Sequence, residues 1–411
     1  MSAVAGLLSI ATANTSDLVG EYQETILVRN SKGYNAGTTL FGLMSRLGAE
    51  PAENNEFNWF ERDPVRRELA ADGADATPPA AQYEVDTIVM QETTAGGNAY
   101  PYLAKGHVLR NTRTGEYVRV TATPSTNTVA VTRAIDTNTA ATLLTYTIQD
   151  NDTFVIVTLG KEEGASPTQA SYEEPSINTN YVQTFNSTVE ITNAFKANKL
   201  RSDAMGPLND RRIQALEKIS RDIELAYFFG TRQKILESSK NVYLTGGLKD
   251  AIDRNVSQNA LNGGGTAGIA IEDFKSWMRD PMSLGSDSKL FLCGPYAYSA
   301  FTDYANQAVN GFRITQAENV FGMNITVVQT PFGSVDLAMH PLFREISSLQ
   351  DWGFLIDLNF IKQKTMEPLF LEPNVQLPGD DSYKEQYRAK LGLKLKFANA
   401  FAYVSSFRKL V

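Results

Sequence analysis

Reactive side chains are scarce in this chain. Its 411 residues include one cysteine, Cys293, and two histidines, His107 and His340. A single thiol excludes an intramolecular disulfide framework and points to synthesis in a reducing cytoplasm. A zinc site would need three remote segments to converge, because no CxxC or HExxH pair is present. No metal site is therefore expected. Cys293 ends an apolar run with no base beside it and reads as a buried, inert thiol. GxSxG, GxxxxGKS/T and a GxGxxG following a strand are all missing. The stretch "LNGGGTAG" (Leu261 to Gly268) is glycine-rich, but without a following Lys-Ser/Thr it reads as a loop tip. The paired carboxylates of "KEEG" and "YEEP" lie in solvated acidic runs. No catalytic residue, cofactor or enzymatic activity is expected.

Positive charge is also in short supply. Lys and Arg total 38 against 46 Asp and Glu, for a net charge of −8 and a pI near 5.1. With no dense Lys/Arg run, a dedicated nucleic-acid binder is disfavoured. No stretch of 18 apolar residues occurs, so no membrane-spanning helix is expected. The opening "MSAVAGLLSIATANTSDLVG" lacks the basic region of a signal peptide. What remains is a globular composition, 42% apolar and 20% charged, long enough for two or three folded units.

Along the chain, residues 1–55 are rich in turn formers and read as an extended arm. The segment 56–82 opens with "EFNWFERDPVRREL", where Phe57 and Trp59 alternate as in a strand until Pro64 interrupts it. It continues into the small-residue linker "AADGADATPPAAQ". From 83 to 160 short β-branched runs alternate cleanly, Val118 with Val120 and Val129 with Val131, separated by "TRTG" and "TPSTN" turns. This pattern predicts a small inserted β-domain, either barrel or sandwich. Residues 161–192 combine an acidic linker with the strand "NYVQTFNSTVEIT", which could pair with the Phe57–Phe60 strand.

The segment 193–245 holds "NDRRIQALEKISRDIELAYFFG". Pro207 near the first turn and Gly230 after the last bound a helix of about 23 residues, some 34 Å long. Ile213, Leu216, Ile223 and Tyr227 predict its apolar stripe, with Glu217 and Arg221 as an i,i+4 pair. Residues 246–365 read as an α/β unit. It has a helix at Ile271–Met278 stopped by Asp280-Pro281, a buried strand ending at Cys293 and a hairpin around "TPFG". Residues 366–411 close with two long strands returning beside the long helix.

Arm, long hairpin, inserted β-domain, long helix, α/β unit and closing strands, in that order, resemble the major capsid protein of tailed phages. The fold implied is α+β of the Hong Kong 97 type: N-arm, E-loop, P-domain with spine helix, and A-domain. The resemblance is to a divergent group of phage major head proteins and covers nearly everything after about residue 50. It implies a virion protein, made in the host cytoplasm, that assembles as hexamers and pentamers into an icosahedral shell around packaged double-stranded DNA. The partners implied are copies of the chain itself, non-specifically contacted DNA, and a minor capsid or decoration protein, scaffolding protein and portal. An encapsulin-like compartment and a β-rich tail or decoration protein are the competing readings.

Within that frame the candidate inter-subunit contacts are Phe57, Trp59, Phe60, Arg62, Arg66, Arg67, Tyr181 and Phe185. Large aromatics favour interfaces, although burial within one chain explains Trp59 and Phe60 equally well. Some capsids of this type form Lys–Asn crosslinks. Lys161, Lys196 and Lys199 lie near the hairpin, but a solvated charged face accounts for them better.

Overall fold

The computed structural model describes residues 39–46, 48–62, 67–73, 83–92, 99–135, 147–164, 174–194, 207–256, 259–262, 269–306, 313–320 and 323–407. Two compact units emerge, one formed by Met1–Trp59 with Asn178–Val411 and the other by Phe60–Ile177. In chain order, α1 (Leu40–Arg46) and β1 (Glu50–Pro51) precede β2 (Glu56–Glu61). Next come β3 (Glu68–Ala71), β4 (Val85–Glu92), β5 (His107–Asn111), β6 (Tyr117–Val120), β7 (Thr128–Thr132) and β8 (Thr153–Leu159). The chain returns through β9 (Ser176–Tyr181) and β10 (Gln183–Thr192) to the long helix α2 (Pro207–Phe229). After it lie β11 (Gln233–Glu237), β12 (Lys240–Leu244), α3 (Leu248–Asn255), β13 (Ala260–Asn262), α4 (Ile271–Met282), β14 (Ser288–Cys293) and α5 (Pro295–Asn306). The remainder is β15 (Arg313–Val320), β16 (Met323–Thr330), β17 (Gly333–Met339), α6 (Pro341–Glu345), β18 (Gly353–Ile356), β19 (Ile361–Glu372), β20 (Ser382–Leu395) and β21 (Ala402–Ser405).

The smaller unit is a closed barrel in the order β3-β4-β7-β6-β5-β8. Every second side chain points inward, so Ile88, Met90, Val118, Val120, Val129 and Val131 fill the centre with Leu109 and Phe154. Closure leaves no open sheet edge, a direct answer to the choice between barrel and sandwich. The unit is wider than the expected 83–160 because β3 supplies a stave from the segment read as linker. Leu69 and Ala71 are buried there. Four residues are too few for a period-two pattern to stand out, and only closure reveals why they are extended. A fully buried Arg133 holds Glu116 through Nε at 3.0 Å and Nη2 at 2.9 Å.

In the larger unit, α2 lies on the four-stranded sheet β1-β19-β20-β10. It spans 23 residues, as its caps predict. The buried stripe is Ala215, Ile219, Ile223 and Tyr227, one residue every four. Ile213 and Leu216, expected in the stripe, are 49% and 39% exposed. Rotation is set instead by Arg212, whose guanidinium grips the buried Glu385 of β20 at 2.5 and 2.7 Å, and by the small Ala215, which admits close approach to the sheet. Arg221 pairs with Glu345 at 3.3 Å, linking α2 to α6. Gly230 ends the helix because a Cβ there would collide with the carbonyls of Ala226 and Thr245. Close approach, rather than a left-handed backbone, requires glycine.

The second sheet runs β13-β21-β18-β14-β17-β16-β15. Cys293, Phe291, Leu337, Leu355 and Val404 pack there with Phe274, Trp277 and Phe301 from α4 and α5. Helix α4 continues to Met282 with Pro281 inside its last turn, past the expected stop at Asp280. The expected pair of closing strands also separates. β20 joins the α2 sheet, whereas β21 crosses to lie between β13 and β18. A left-handed Phe397 (φ 51°) and a 3-10 turn at Ala398–Ala400 make the turn between them. β2 pairs with β9 rather than with β10.

Candidate functional site

Among the described residues no three His, Cys, Asp or Glu side chains are grouped to hold a metal ion, and no helix is long and apolar enough to cross a membrane. Cys293 is fully buried, and burial pushes its thiol far above the ordinary range. Nδ1 of His107 accepts the Ala104 N–H at 3.0 Å. Burial first, and the positive charge of Arg67 second, hold that imidazole below its usual range.

The framework is tied at Glu224, on the buried side of α2. One carboxylate oxygen accepts the Leu40 N–H at 2.6 Å and the other the Phe41 N–H at 2.7 Å. His340 Nε2 lies 2.7 Å from the first of these oxygens. Both side chains are completely buried. Glu224 thus satisfies the free N–H groups that open α1 and joins three remote segments. The sequence carried a signal for it: a lone carboxylate inside the apolar run from Ile223 to Phe229. Asn180 forms a second knot, donating to Gly246 O at 3.0 Å and Leu393 O at 2.7 Å while accepting the Gly246 N–H at 2.8 Å. Lys289 is buried as well, donating to Leu284 O at 2.8 Å and Ala400 O at 2.7 Å, with Asp357 at 3.7 Å. Burial lowers its ammonium to about 8 against the pull of Asp357.

The candidate contact residues scatter. Phe57 and Trp59 are half-buried and stack at 6.0 Å with an interplanar angle of 25°. Phe57 and the Tyr181 carbonyl close over Gly392, where a Cβ would stand 2.8 and 2.9 Å from them. Tyr181 also faces Tyr243 at 5.5 Å. Phe185 belongs elsewhere: only 5% exposed, it packs beneath α2 in the chain's own core, so its ring is not available to a neighbour. In the barrel unit Phe60 is 68% exposed, and Arg62 and Arg67 are exposed too. Arg66 lies outside the described residues, as do Lys196, Lys199 and the arm through residue 38.

Pattern reading missed the hairpin β11–β12. All its β11 side chains are exposed, including Leu236 at 72%. Ser238 and Ser239, with φ of 46° and 65°, form the kind of turn that matches strand twist. A lone two-stranded hairpin is marginal in water, which makes it a candidate contact element. At the tip of β19–β20, Leu377 is 72% exposed.

The described elements form an α+β framework with exposed ribbons, and the family that its sequence matches places the chain in the capsid class of structural proteins. The SU10 major capsid protein family model matches residues 34–407, and the chain belongs to that family. It is similar to a major capsid protein of Pseudomonas phage PaMx41, with 22% identity over 373 residues, 89% of this chain and 83% of that one. Among solved structures, the capsid of a native GTA particle is matched over 98% of this chain and 100% of its own, at 9% identity and a TM-score of 0.44. The cyanophage A-1(L) capsid is matched over 62% of this chain and 85% of its own, at 12% identity and a TM-score of 0.42. The α+β class rests on the elements described above.

Proposed function

We propose that this capsid protein assembles as hexamers and pentamers into an icosahedral shell that holds packaged double-stranded DNA, and that it has no catalytic activity. The family match across residues 34–407 carries this reading. A net charge of −8 supports it, because a strongly basic lining would bind DNA tightly and hinder its movement during filling. Among the described residues of the candidate contact set, Phe60, Arg62 and Arg67 are exposed. A minor capsid or decoration protein, a scaffolding protein and a portal complete the partners, and synthesis takes place in the host cytoplasm.

Negative-stain microscopy of the purified chain tests the proposal. Uniform polyhedral particles are the expected result, and a monomer or trimer at all concentrations would sink it. Shells recovered from cells with a protein cargo and no DNA would replace the virus by a compartment.

A further inference from the structure

Helix α1 is held to the larger unit in two ways. Leu40, Leu43 and Met44 supply apolar contact with α2 and β19, and the Glu224 carboxylate takes the Leu40 and Phe41 amides. The same carboxylate also serves another element. His340 stands between β17 and α6, and its Nε2 meets Glu224 Oε1, the oxygen that accepts the Leu40 N–H. The other ring nitrogen, Nδ1, is buried without a hydrogen-bond partner. The rings of Phe228 and Phe343 flank the imidazole, with centroids 5.1 and 4.8 Å away. Among the described residues, Glu224 is therefore the single polar tether of this ring.

His340 in turn seats α6. It is the residue just before the first turn of that helix. Its main chain donates to Cys293 O at 2.9 Å and accepts the Arg344 N–H at 3.2 Å. Leu342 and Phe343, next along α6, are buried in the core that α1 also joins. Withdrawing α1 would remove two of the three hydrogen bonds that reach Glu224 among the described residues. A buried carboxylate left with one donor is poorly compensated, so it must draw in water or turn away from the core. Either response breaks its bond to His340 and leaves both ring nitrogens unpaired. The reverse holds as well: without the imidazole, the carboxylate loses the donor that fixes its position beneath the two amides.

We infer that α1 and α6 are coupled through the Glu224 carboxylate, so that withdrawal of the chain's N-terminal segment at α1 loosens the β17–α6 corner, and loss of the His340 contact loosens α1. This relay works within one chain and does not depend on the shell reading.

The test uses hydrogen exchange of the full, unassembled chain. Leu43→Ala with Met44→Ala weakens the apolar hold and should strip protection from a peptide covering 40–46. Protection of a peptide covering 341–346 should then fall by about tenfold or more, the worth of one hydrogen bond to a charged group. In a His340→Leu background the same pair should change 341–346 by less than about threefold, because the relay is already cut. His340→Leu alone should speed exchange at 40–46 by about tenfold, since coupling is reciprocal. His340→Gln keeps a side-chain donor and should restore most of that protection. Unchanged protection at 341–346 with α1 stripped would overturn the inference. So would an equal effect of the pair in both backgrounds, which would assign the link to apolar packing. Should the double substitution unfold the whole larger unit, seen as lost protection in β19, Leu43→Ala alone carries the same comparison.

Discussion

Replacing Glu224 with alanine tests how α1 is held. Ordering its seven residues costs about 1–2 kcal/mol of backbone entropy each, roughly 7–14 kcal/mol in all. Leu40, Leu43 and Met44 are buried, and at about 1.5–3 kcal/mol apiece they return roughly 5–9 kcal/mol. Apolar burial alone therefore leaves the helix unheld or barely held. Two hydrogen bonds to a charged acceptor, about 1.5–3 kcal/mol each, make up the difference. Removing the carboxylate also leaves the buried Leu40 N–H, the partly buried Phe41 N–H and His340 without this acceptor. In Glu224→Ala the docking of α1 should weaken by about 3–5 kcal/mol, raising the population of the undocked segment by roughly two to four orders of magnitude. Hydrogen exchange of the unassembled chain reads this directly, as lost protection in a peptide covering Leu40–Arg46. Peptides from the barrel strands β6 and β7 should keep theirs, because the barrel core contains no residue of α1 or α2. Glu224→Gln keeps one acceptor oxygen and should cost less, about 1–3 kcal/mol. Protection at 40–46 within threefold of the parent in Glu224→Ala would refute the reasoning and make apolar contact the real anchor.

Other consequences are open to simple measurement. Cys293 should ignore a thiol reagent in the native chain and react once per molecule on unfolding, so its labelling rate reports global opening; fast native labelling would contradict its burial. Gly392→Ala should destabilise by about 1–3 kcal/mol, since Phe57 or the Tyr181 carbonyl must give way, and a denaturation midpoint equal to the parent's would refute that. Burial works against ionisation of Asp152, but hydrogen bonds from Arg113, Asn111 and the Gln149 N–H outweigh it and hold the carboxyl below its ordinary value. Its contribution to the barrel is therefore present above the unfolded value of about 3.9 and is lost as pH falls through the lower folded value. Asp152→Asn should remove that part of the acid transition seen in barrel peptides, and an identical acid profile would exclude the role.

Local patterns in the sequence reach surprisingly far along this chain. Period-two alternation located the barrel strands from Val118 to Val131, and the proline and glycine bounds of α2 gave its length. They fail where the cause is remote. β3 is a strand because a barrel needs a sixth stave, and nothing within Glu68–Ala71 says so. Phe185 resembles Phe60 in composition terms, yet one ring lies under α2 and the other in solvent. Alternation tells which residues share a face, but not which face is covered.

By itself, then, the sequence determined the long helix, most of the barrel strands and the scarcity of reactive groups, because these follow from short-range periodicity and side-chain chemistry; the capsid reading came from a resemblance in the order of parts. The tertiary structure alone decided the rotation of α2, the crossing of β21 to the other sheet and the role of Glu224. Each depends on a partner more than 100 residues away in the chain: Glu385 for Arg212, Ala260–Asn262 for β21, and the Leu40 and Phe41 amides for Glu224. A charge or a strand edge is satisfied by what lies nearest in space, and that neighbour has no fixed position in sequence.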